Sequence, residues 1–257
     1  MIEQLRQQLL TLQKAPGIED DPRILPFGIA AVDSVLGGGL MRGALHEIAA
    51  PSETHLAAAT GFALGLAALS AASPRLSWIA EDMALAENGA PHGAGLCTFG
   101  LAPERLVTVN VTHRRDLLWA MEETLRCRAV NAVIGEMRAG EIDGVAVRRL
   151  SLAATKNGAL ALLLRAAPPH DGSTAATRWI VGAAPSFVVP GREQNERTRE
   201  IGPHFATQLV RNRRGPVGSW LLEWSVSDER FILATRAQPL AASTFDRPHR
   251  QIASKVA

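Results

Sequence analysis

The sequence lacks tyrosine, and its phenylalanines and tryptophans bring the aromatic fraction to only 5% of 257 residues. Aromatic platforms for stacking nucleobases are therefore not expected to dominate any binding surface. The only cysteines, Cys97 and Cys127, have no metal-site spacing, and we expect them to be buried, reduced thiols. The longest apolar run, residues 56–72, is mostly alanine and glycine, which is too weakly hydrophobic for a membrane span.

The sequence also lacks a large excess of charge of one sign, since the formal net charge is only +2 and the sequence pI about 8.8. This balance does not by itself indicate a nucleic-acid partner, but it is compatible with a local basic patch. The first ten residues, MIEQLRQQLL, carry Glu3 and lack the apolar core of a signal sequence. We therefore expect a cytoplasmic protein with no membrane association.

The stretch that is most informative, residues 27–69, has the strand, loop and helix layout of a phosphate-binding loop. Such a loop should read G-x-x-x-x-G-K-[ST], and positions 50–57 read APSETHLA instead. Ala50 and His55 replace the glycines, Leu56 replaces the lysine, and Ala57 replaces the magnesium-binding hydroxyl. The sequence predicts the architecture of a nucleotide site without its chemistry.

Strands and helices alternate after this unit. We predict strands at 75–80, 105–110, 129–136 and 159–165, helices at 116–128 and 141–157, and a loop or poorly formed helix at 88–100. From residue 168 the pattern changes to successive short strands, at 179–182, 186–189, 204–212, 219–224 and 230–235. The alternation predicts an α/β fold, in which helices cover both faces of a mostly parallel sheet that antiparallel strands extend.

Three segments are predicted along the chain. Residues 1–24 form an amphipathic helix and a linker, residues 25–235 the core domain, and residues 236–257 a mobile polar tail. The helix presents one apolar stripe, made of Ile2, Leu5, Leu9 and Leu12. This stripe packs on the chain's own core or docks on a neighbouring subunit or partner, and the pattern leaves both interpretations open.

Three motifs carry a resemblance to known proteins. They are F-G-x-x-x-V-D-x-x-L-G-G-G-L-x-x-G-x-x-H-E-I at 27–48, GLAPERL at 100–106 and ATQLVRNRRGP at 206–216. Over residues 25–235 they resemble the RecA-like recombinase fold, with its three-layer core. Together with the eroded phosphate loop, they resemble the ImuA family, RecA/SulA-related accessory proteins of bacterial mutagenic repair.

That resemblance implies a function in SOS-induced, error-prone translesion DNA synthesis. The implied partners are an ImuB-like Y-family protein that lacks polymerase activity and, through it, a DnaE-type polymerase, with RecA as a further partner. No cofactor and no metal is expected.

The candidate site residues follow from placing the RecA-like pattern on this chain. The vestigial nucleotide site comprises Ser52, Glu53, Thr54, His55, Leu56, Glu81, Asp82, Glu136 and Arg165. The resemblance places Glu136 at the metal-linked position and Glu81 or Asp82 near the water-orienting carboxylate. Arg165 stands where RecA has a phosphate-sensing glutamine. These residues are either simple polar strand ends or a locked site, in which Arg165 pairs with Glu136. Glu53 and His55 are too few to hold a metal. We expect no catalytic residue and no useful ATPase activity.

Arginines are concentrated between residues 178 and 214. The candidates for binding DNA or a partner are Arg178, Arg192, Arg197, Arg199, Arg211, Arg213 and Arg214. They form a solvated basic face, contact phosphates of single-stranded DNA, or meet an acidic partner surface.

The leading hypothesis is a non-catalytic adaptor, a RecA-like module that bridges the ImuB-like protein and the DnaE-type polymerase assembly. Two alternatives to it remain. The first is a weak DNA-dependent ATPase, in which Lys156 or an arginine replaces the lost lysine. The second is a SulA-like cell-division inhibitor, against which the presence of a whole RecA-like core argues.

Overall fold

The computed structural model describes residues 23–138, 140, 142–168, 174–185 and 202–234. Several predictions fall outside these residues: the stripe of Ile2, Leu5, Leu9 and Leu12, the strand at 186–189, the tail at 236–257, and Arg192, Arg197 and Arg199. The helices are α1 (Ala30–Leu36), α2 (Leu56–Leu69), α3 (Asp82–Asn88), α4 (Gly93–Thr98), α5 (Arg114–Leu125) and α6 (Gly144–Asn157). The strands are β1 (Ile24–Leu25), β2 (Leu40–Met41), β3 (Leu45–Ala49), β4 (Leu76–Glu81), β5 (Leu106–Val111), β6 (Ala132–Met137), β7 (Leu160–Arg165), β8 (Thr177–Ala183), β9 (His204–Asn212), β10 (Gly218–Ser225) and β11 (Arg230–Leu233).

Nine strands form one sheet, in the order β11-β10-β9-β8-β3-β7-β6-β4-β5. The six strands from β8 to β5 pair in parallel, and β9, β10 and β11 continue the sheet antiparallel. The predicted α/β class, with a mostly parallel sheet extended by antiparallel strands, is confirmed. The carboxyl ends of β3, β4, β6 and β7 share one edge, where parallel sheets place their sites.

Helices cover the sheet on both faces. Helix α2 packs on one face, whereas α5 and α6 pack on the other. Side chains alternate along each strand, so that Trp78, Ile134 and Leu162 face α2, while Ile79 and Val133 face α5 and α6. The sheet and the helices on its two faces thus form three layers, and one apolar cluster fills each of the two interfaces between them.

The alanine- and glycine-rich composition of α2 has a packing reason. A Cβ atom at Gly65 would lie 2.5 Å from the ring of Phe231, and one at Gly61 would lie 3.2 Å from Phe205 and Phe99. Helix α2 therefore lies so close to β11 that a side chain at Gly65 requires a shift of its neighbours, and a side chain at Gly61 is tightly accommodated.

The glycine turn after α1 is held by the distant turn between β9 and β10. Gly37 ends α1 in the left-handed region, with φ of 68°. The Asn212 side-chain amide donates to the Val35 carbonyl (2.9 Å), and Arg214 donates to the Gly37 carbonyl (3.0 Å). The Asp33 carboxylate accepts from the backbone N–H of Phe27 (2.8 Å) and of Ile29 (3.1 Å). These hydrogen bonds explain why the first part of the motif at 27–48 contains an aspartate and a glycine turn.

One expectation is wrong. Cys97 and Cys127 are both free, as predicted, but exposed: Cys97 lies on α4, and Cys127 lies in the turn after α5. The segment 88–100, predicted as a loop or poorly formed helix, contains a loop at 89–92 and then the short helix α4, which Leu96 and Phe99 fix by tertiary contacts with the core. Within the described residues, no helix is long and apolar enough to cross a membrane.

Candidate functional site

The loop that would hold phosphate follows β3 at the carboxyl edge of the sheet. Glu53–His55 form one 3₁₀ turn that leads directly into α2. Ser52 Oγ and Thr54 Oγ1 are hydrogen-bonded to each other (2.9 Å), and His55 Nδ1 accepts from the backbone N–H of Ala183 on β8 (3.0 Å). Leu56 is 6% exposed and belongs to the core on the α2 face. The loop therefore offers no cation to an incoming phosphate, and its histidine ring is hydrogen-bonded to the sheet.

A groove of 740 Å³ lies beside this loop. It brings together Glu53, Leu56 and Glu81 from the predicted site, with Glu87, Arg114 and Arg138 added by the fold. Arg138 pairs with Glu87 (2.6 Å), and Arg114 Nε lies 3.4 Å from Glu81 Oε1. Each arginine thus has a carboxylate beside it.

Asp82 opens α3 next to this groove. Its carboxylate accepts from Thr112 Oγ1 (3.0 Å), while the other oxygen of Glu81 accepts from the backbone N–H of Arg138 (3.1 Å). Both candidates for the water-orienting carboxylate are consequently held by neighbouring loops at the edge of the sheet.

Of the two interpretations of these strand ends, the locked site with a pair between Arg165 and Glu136 is wrong. Glu136 is in register with Leu164 and shares its face, which is the α2 face, whereas Arg165 is the next residue and points to the other face. The carboxylate of Glu136 accepts from Trp78 Nε1 (3.0 Å) and Asn88 Nδ2 (3.2 Å). Arg165 instead donates to the Gly140 carbonyl (2.9 Å) and lies 3.9 Å from Glu47.

Glu136 is 3% exposed. Desolvation by burial raises the pKa of its carboxyl, and the hydrogen bonds from Trp78 and Asn88 oppose that rise. It lines a second cavity, separate from the groove, on the α2 side of the sheet.

Sequence reasoning missed a row of charges on the α5/α6 face. Glu47, in the middle of β3, is fully buried; Arg178 Nε on β8 donates to it (2.6 Å), and Arg165 on β7 lies on its other side. A carboxylate in the centre of an otherwise apolar strand was the available signal, because buried charges require partners.

The four basic candidates within the described residues lie at the β8–β9 margin. Arg178 and Arg211 are directly opposite each other in the antiparallel pair of β8 and β9, but Arg178 forms an ion pair with Glu47. Arg213 donates to the Thr174 carbonyl and Arg214 to the Gly37 carbonyl, each at 3.0 Å. The structure thus assigns a structural contact to three of the four; Arg211 has no such contact among the residues described.

Lys156 is not placed to replace the lost lysine. It lies in the last turn of α6, which ends just before β7 begins, at the amino edge of the parallel strands. Leu56 lies at the opposite, carboxyl edge. Across the described part of the chain, no group of three or more His, Cys, Asp or Glu side chains is arranged to hold a metal ion.

The fold and the edge site together define a RecA-like core with an altered phosphate loop. The structure is similar to the crystal structure of the RadB recombinase, with a TM-score of 0.53 and 15% sequence identity, over 81% of this chain and 98% of that one. At this identity the likeness shows the RecA-like fold alone.

Sequence relatives identify the family. The chain is 30% identical over 220 residues to Protein ImuA of Caulobacter vibrioides, from strains NA1000 and ATCC 19089, over 78% of this chain and 83% of those proteins. No protein-family model matches the chain. The chain belongs to the ImuA family, as its motifs predicted.

Proposed function

We propose that this protein is a non-catalytic, RecA-like adaptor of damage-induced, error-prone translesion DNA synthesis. In this function it bridges an ImuB-like Y-family protein and a DnaE-type polymerase. Membership in the ImuA family supports the pathway, and the RecA-like core supports a descent from proteins that act on DNA. The altered phosphate loop supports the absence of catalysis.

The observation that carries this proposal is the state of the loop at 50–57. A phosphate loop works because close-approaching glycines and a lysine surround the triphosphate. Here Leu56 is buried in the core, and the loop contributes Glu53, which repels an anionic ligand. The arginines of the adjoining groove, Arg114 and Arg138, already have carboxylates beside them.

Calorimetric titration with Mg-ATP tests the loss of catalysis. We expect no heat of binding at nucleotide concentrations that saturate an active RecA-like ATPase measured in parallel, and no phosphate release with or without single-stranded DNA. Tight binding together with turnover that Glu136→Gln abolishes would reject the proposal and favour the divergent ATPase.

Co-purification tests the adaptor function. An ImuB-like protein from the same damage-induced cells should be retained by the tagged full-length chain. We expect less retention after deletion of 236–257 or after the double change Leu5→Asp and Leu9→Asp, because tails and amphipathic stripes are common docking devices. Replacing Gln7 and Gln8 with Asp on the same segment is the matched control, since it adds the same charge outside the stripe. Equal retention in all variants would discard both docking segments.

A further inference from the structure

A cavity of 220 Å³ opens between α2 and the segment that joins α3 to α4. Its floor is buried and contains Trp78 and Glu136, which are 2% and 3% exposed. Its rim, at residues 88–90 and His92, is exposed. The volume is below the roughly 300 Å³ at which pockets for drug-sized ligands begin. The cavity therefore fits a group of the size of one side chain.

The chemistry of the floor is that of a carboxylate without a positive partner. The two hydrogen-bond donors to Glu136, the Trp78 indole and the Asn88 amide, are both neutral, and no Lys, Arg or His pairs with it among the described residues. Burying a carboxylate in this way is costly unless a cation compensates it. Each oxygen of Glu136 retains capacity to accept a further hydrogen bond.

We propose that this pocket binds the guanidinium group of an arginine side chain that a partner protein supplies. A guanidinium is planar, carries five N–H donors, sheds water more readily than an ammonium group and stacks on indole rings. Glu136 supplies the charge at the floor, the neighbouring Trp78 supplies an indole ring there, and the backbone of the rim supplies the walls. A triphosphate is excluded both by the volume and by the sign of the charge.

Glycine keeps the entrance open. A Cβ atom at Gly89 or Gly95 would meet no other atom within 4 Å, so both residues border empty space at the rim. Gly95 lies inside α4 with ordinary backbone geometry, where a larger residue is accommodated by the helix. Because Gly95 lines the pocket, we expect a leucine there to narrow it while leaving the charge of Glu136 in place.

The chemistry of the pocket is independent of the proposed function, which enters only in assigning the arginine to a partner protein. A small probe therefore tests the pocket separately from the adaptor model. The probe is N-acetyl-arginine methylamide, and its neutral isostere, N-acetyl-citrulline methylamide, is the matched ligand control. The readout is the ¹H–¹⁵N resonance of the Trp78 indole, identified among the five tryptophans by Trp78→Phe.

We expect the arginine probe to shift this resonance with a Kd on the order of 1 mM, as suits one small ligand, and the citrulline probe to leave it unchanged. Glu136→Gln and Gly95→Leu should each weaken binding about tenfold or more, since one removes the charge and the other the space. Gly144→Leu, on α6 and also facing open space, is the control variant and should bind as the wild type does.

Three results would overturn the pocket assignment. The first is equal binding of the citrulline probe. The second is undiminished binding in Gly95→Leu, which decides the matter even if Glu136→Gln does not fold. The third is the same shift with MgCl₂ alone at the probe's concentration, which would assign a metal site instead. If the probe binds but the partner's retention is unaffected by Gly95→Leu, the pocket stands and its assignment to that partner falls.

Discussion

The contacts of the buried charged side chains at this site depend on the face of the sheet to which each side chain points. That face decides which charges can pair, more than the position of the residue along its strand does. Glu136 and Arg165 lie near the ends of neighbouring strands, and a pair between them was one of the two interpretations that the sequence left open. One residue of register places them on opposite sides of the sheet. The sequence could supply the residue types at the strand ends, but not the register between β6 and β7, on which the pairing depends.

Glu47 gives the first prediction. Its carboxylate is fully buried and lies between Arg165 and Arg178, so removing its charge leaves cations buried without their partner. We expect Glu47→Gln to lower the free energy of unfolding in urea by about 3 kcal/mol, because it removes the buried carboxylate that both arginines contact, although each arginine keeps its other contacts. The control is Glu87→Gln, which breaks the half-exposed pair with Arg138 and should cost less than about 1 kcal/mol. Equal small losses in both variants would show that the row of charges contributes nothing to stability.

His46 gives a prediction on pH. Its ring is fully buried between Thr177 Oγ1 and the Met41 carbonyl, and desolvation lowers its pKa to about 4. Between the unfolded pKa of about 6.5 and pH 4, the unfolded chain binds more protons than the folded chain, so stability falls as the pH falls. We expect this histidine to account for a loss of about 2 kcal/mol between pH 7 and pH 5.

The measurement is urea unfolding at both pH values for the wild type and for His46→Gln. The variant is less stable at pH 7, but its loss between the two pH values should be smaller by that amount. Parallel curves for the two proteins would contradict the assignment.

At the scale of elements, the order of strands and helices could be predicted because each has a clear periodicity. Apolar runs gave β4, β6 and β7, and Asn157-Gly158 correctly ended α6, where Gly158 adopts the left-handed conformation. Helices α1 and α3 were missed because each is only seven residues long, and α4 was predicted only as a loop or poorly formed helix because it is short and rich in small residues. Leu96 and Phe99 stabilise α4 through contacts with the core, which no local pattern reveals.

Helix α2 supplies the prediction at this scale. Gly65→Ala places a methyl group 2.5 Å from the Phe231 ring, so α2 and β11 must separate. Although alanine favours helix more than glycine does, we expect a net loss of about 1–3 kcal/mol in the free energy of unfolding. Gly144→Ala, at the first position of α6 with nothing within 4 Å, should be neutral or stabilising. A gain in stability at both positions would mean that the close approach of α2 is not required.

At the scale of the whole molecule, the resemblance predicted the RecA-like frame and the pattern of short strands after residue 168 predicted the antiparallel extension, and both are observed. What could not be predicted is the use of the arginines near residue 212. The sequence suggested a basic face or a surface for DNA or a partner. In the structure, Arg213 and Arg214 instead hold distant parts of the chain together, because each donates to a backbone carbonyl. Carbonyl partners leave no mark in a sequence.

Asn212 tests this long-range connection. Its side chain donates to the carbonyls of Val35 and Pro216 and accepts from the backbone N–H of Arg214, so Asn212→Ala leaves several polar groups without partners. We expect a loss of about 1–3 kcal/mol in the free energy of unfolding. Arg230→Ala, which removes a 3.8 Å contact with Asp228 from an exposed position, is the control and should change stability by less than about 0.5 kcal/mol. A neutral Asn212→Ala would show that the Asn212 amide is not needed to join the two ends of the core.

The contact between Val35 and Asn212 also bears on how the protein is made. A ribosome releases the first motif long before it has synthesised the turn that completes it, since 177 residues separate the two partners. Translation at about 5–20 residues per second means that the early segment waits many seconds with its apolar side chains uncovered. Nascent chains of this protein should therefore depend on chaperones until the last strands emerge.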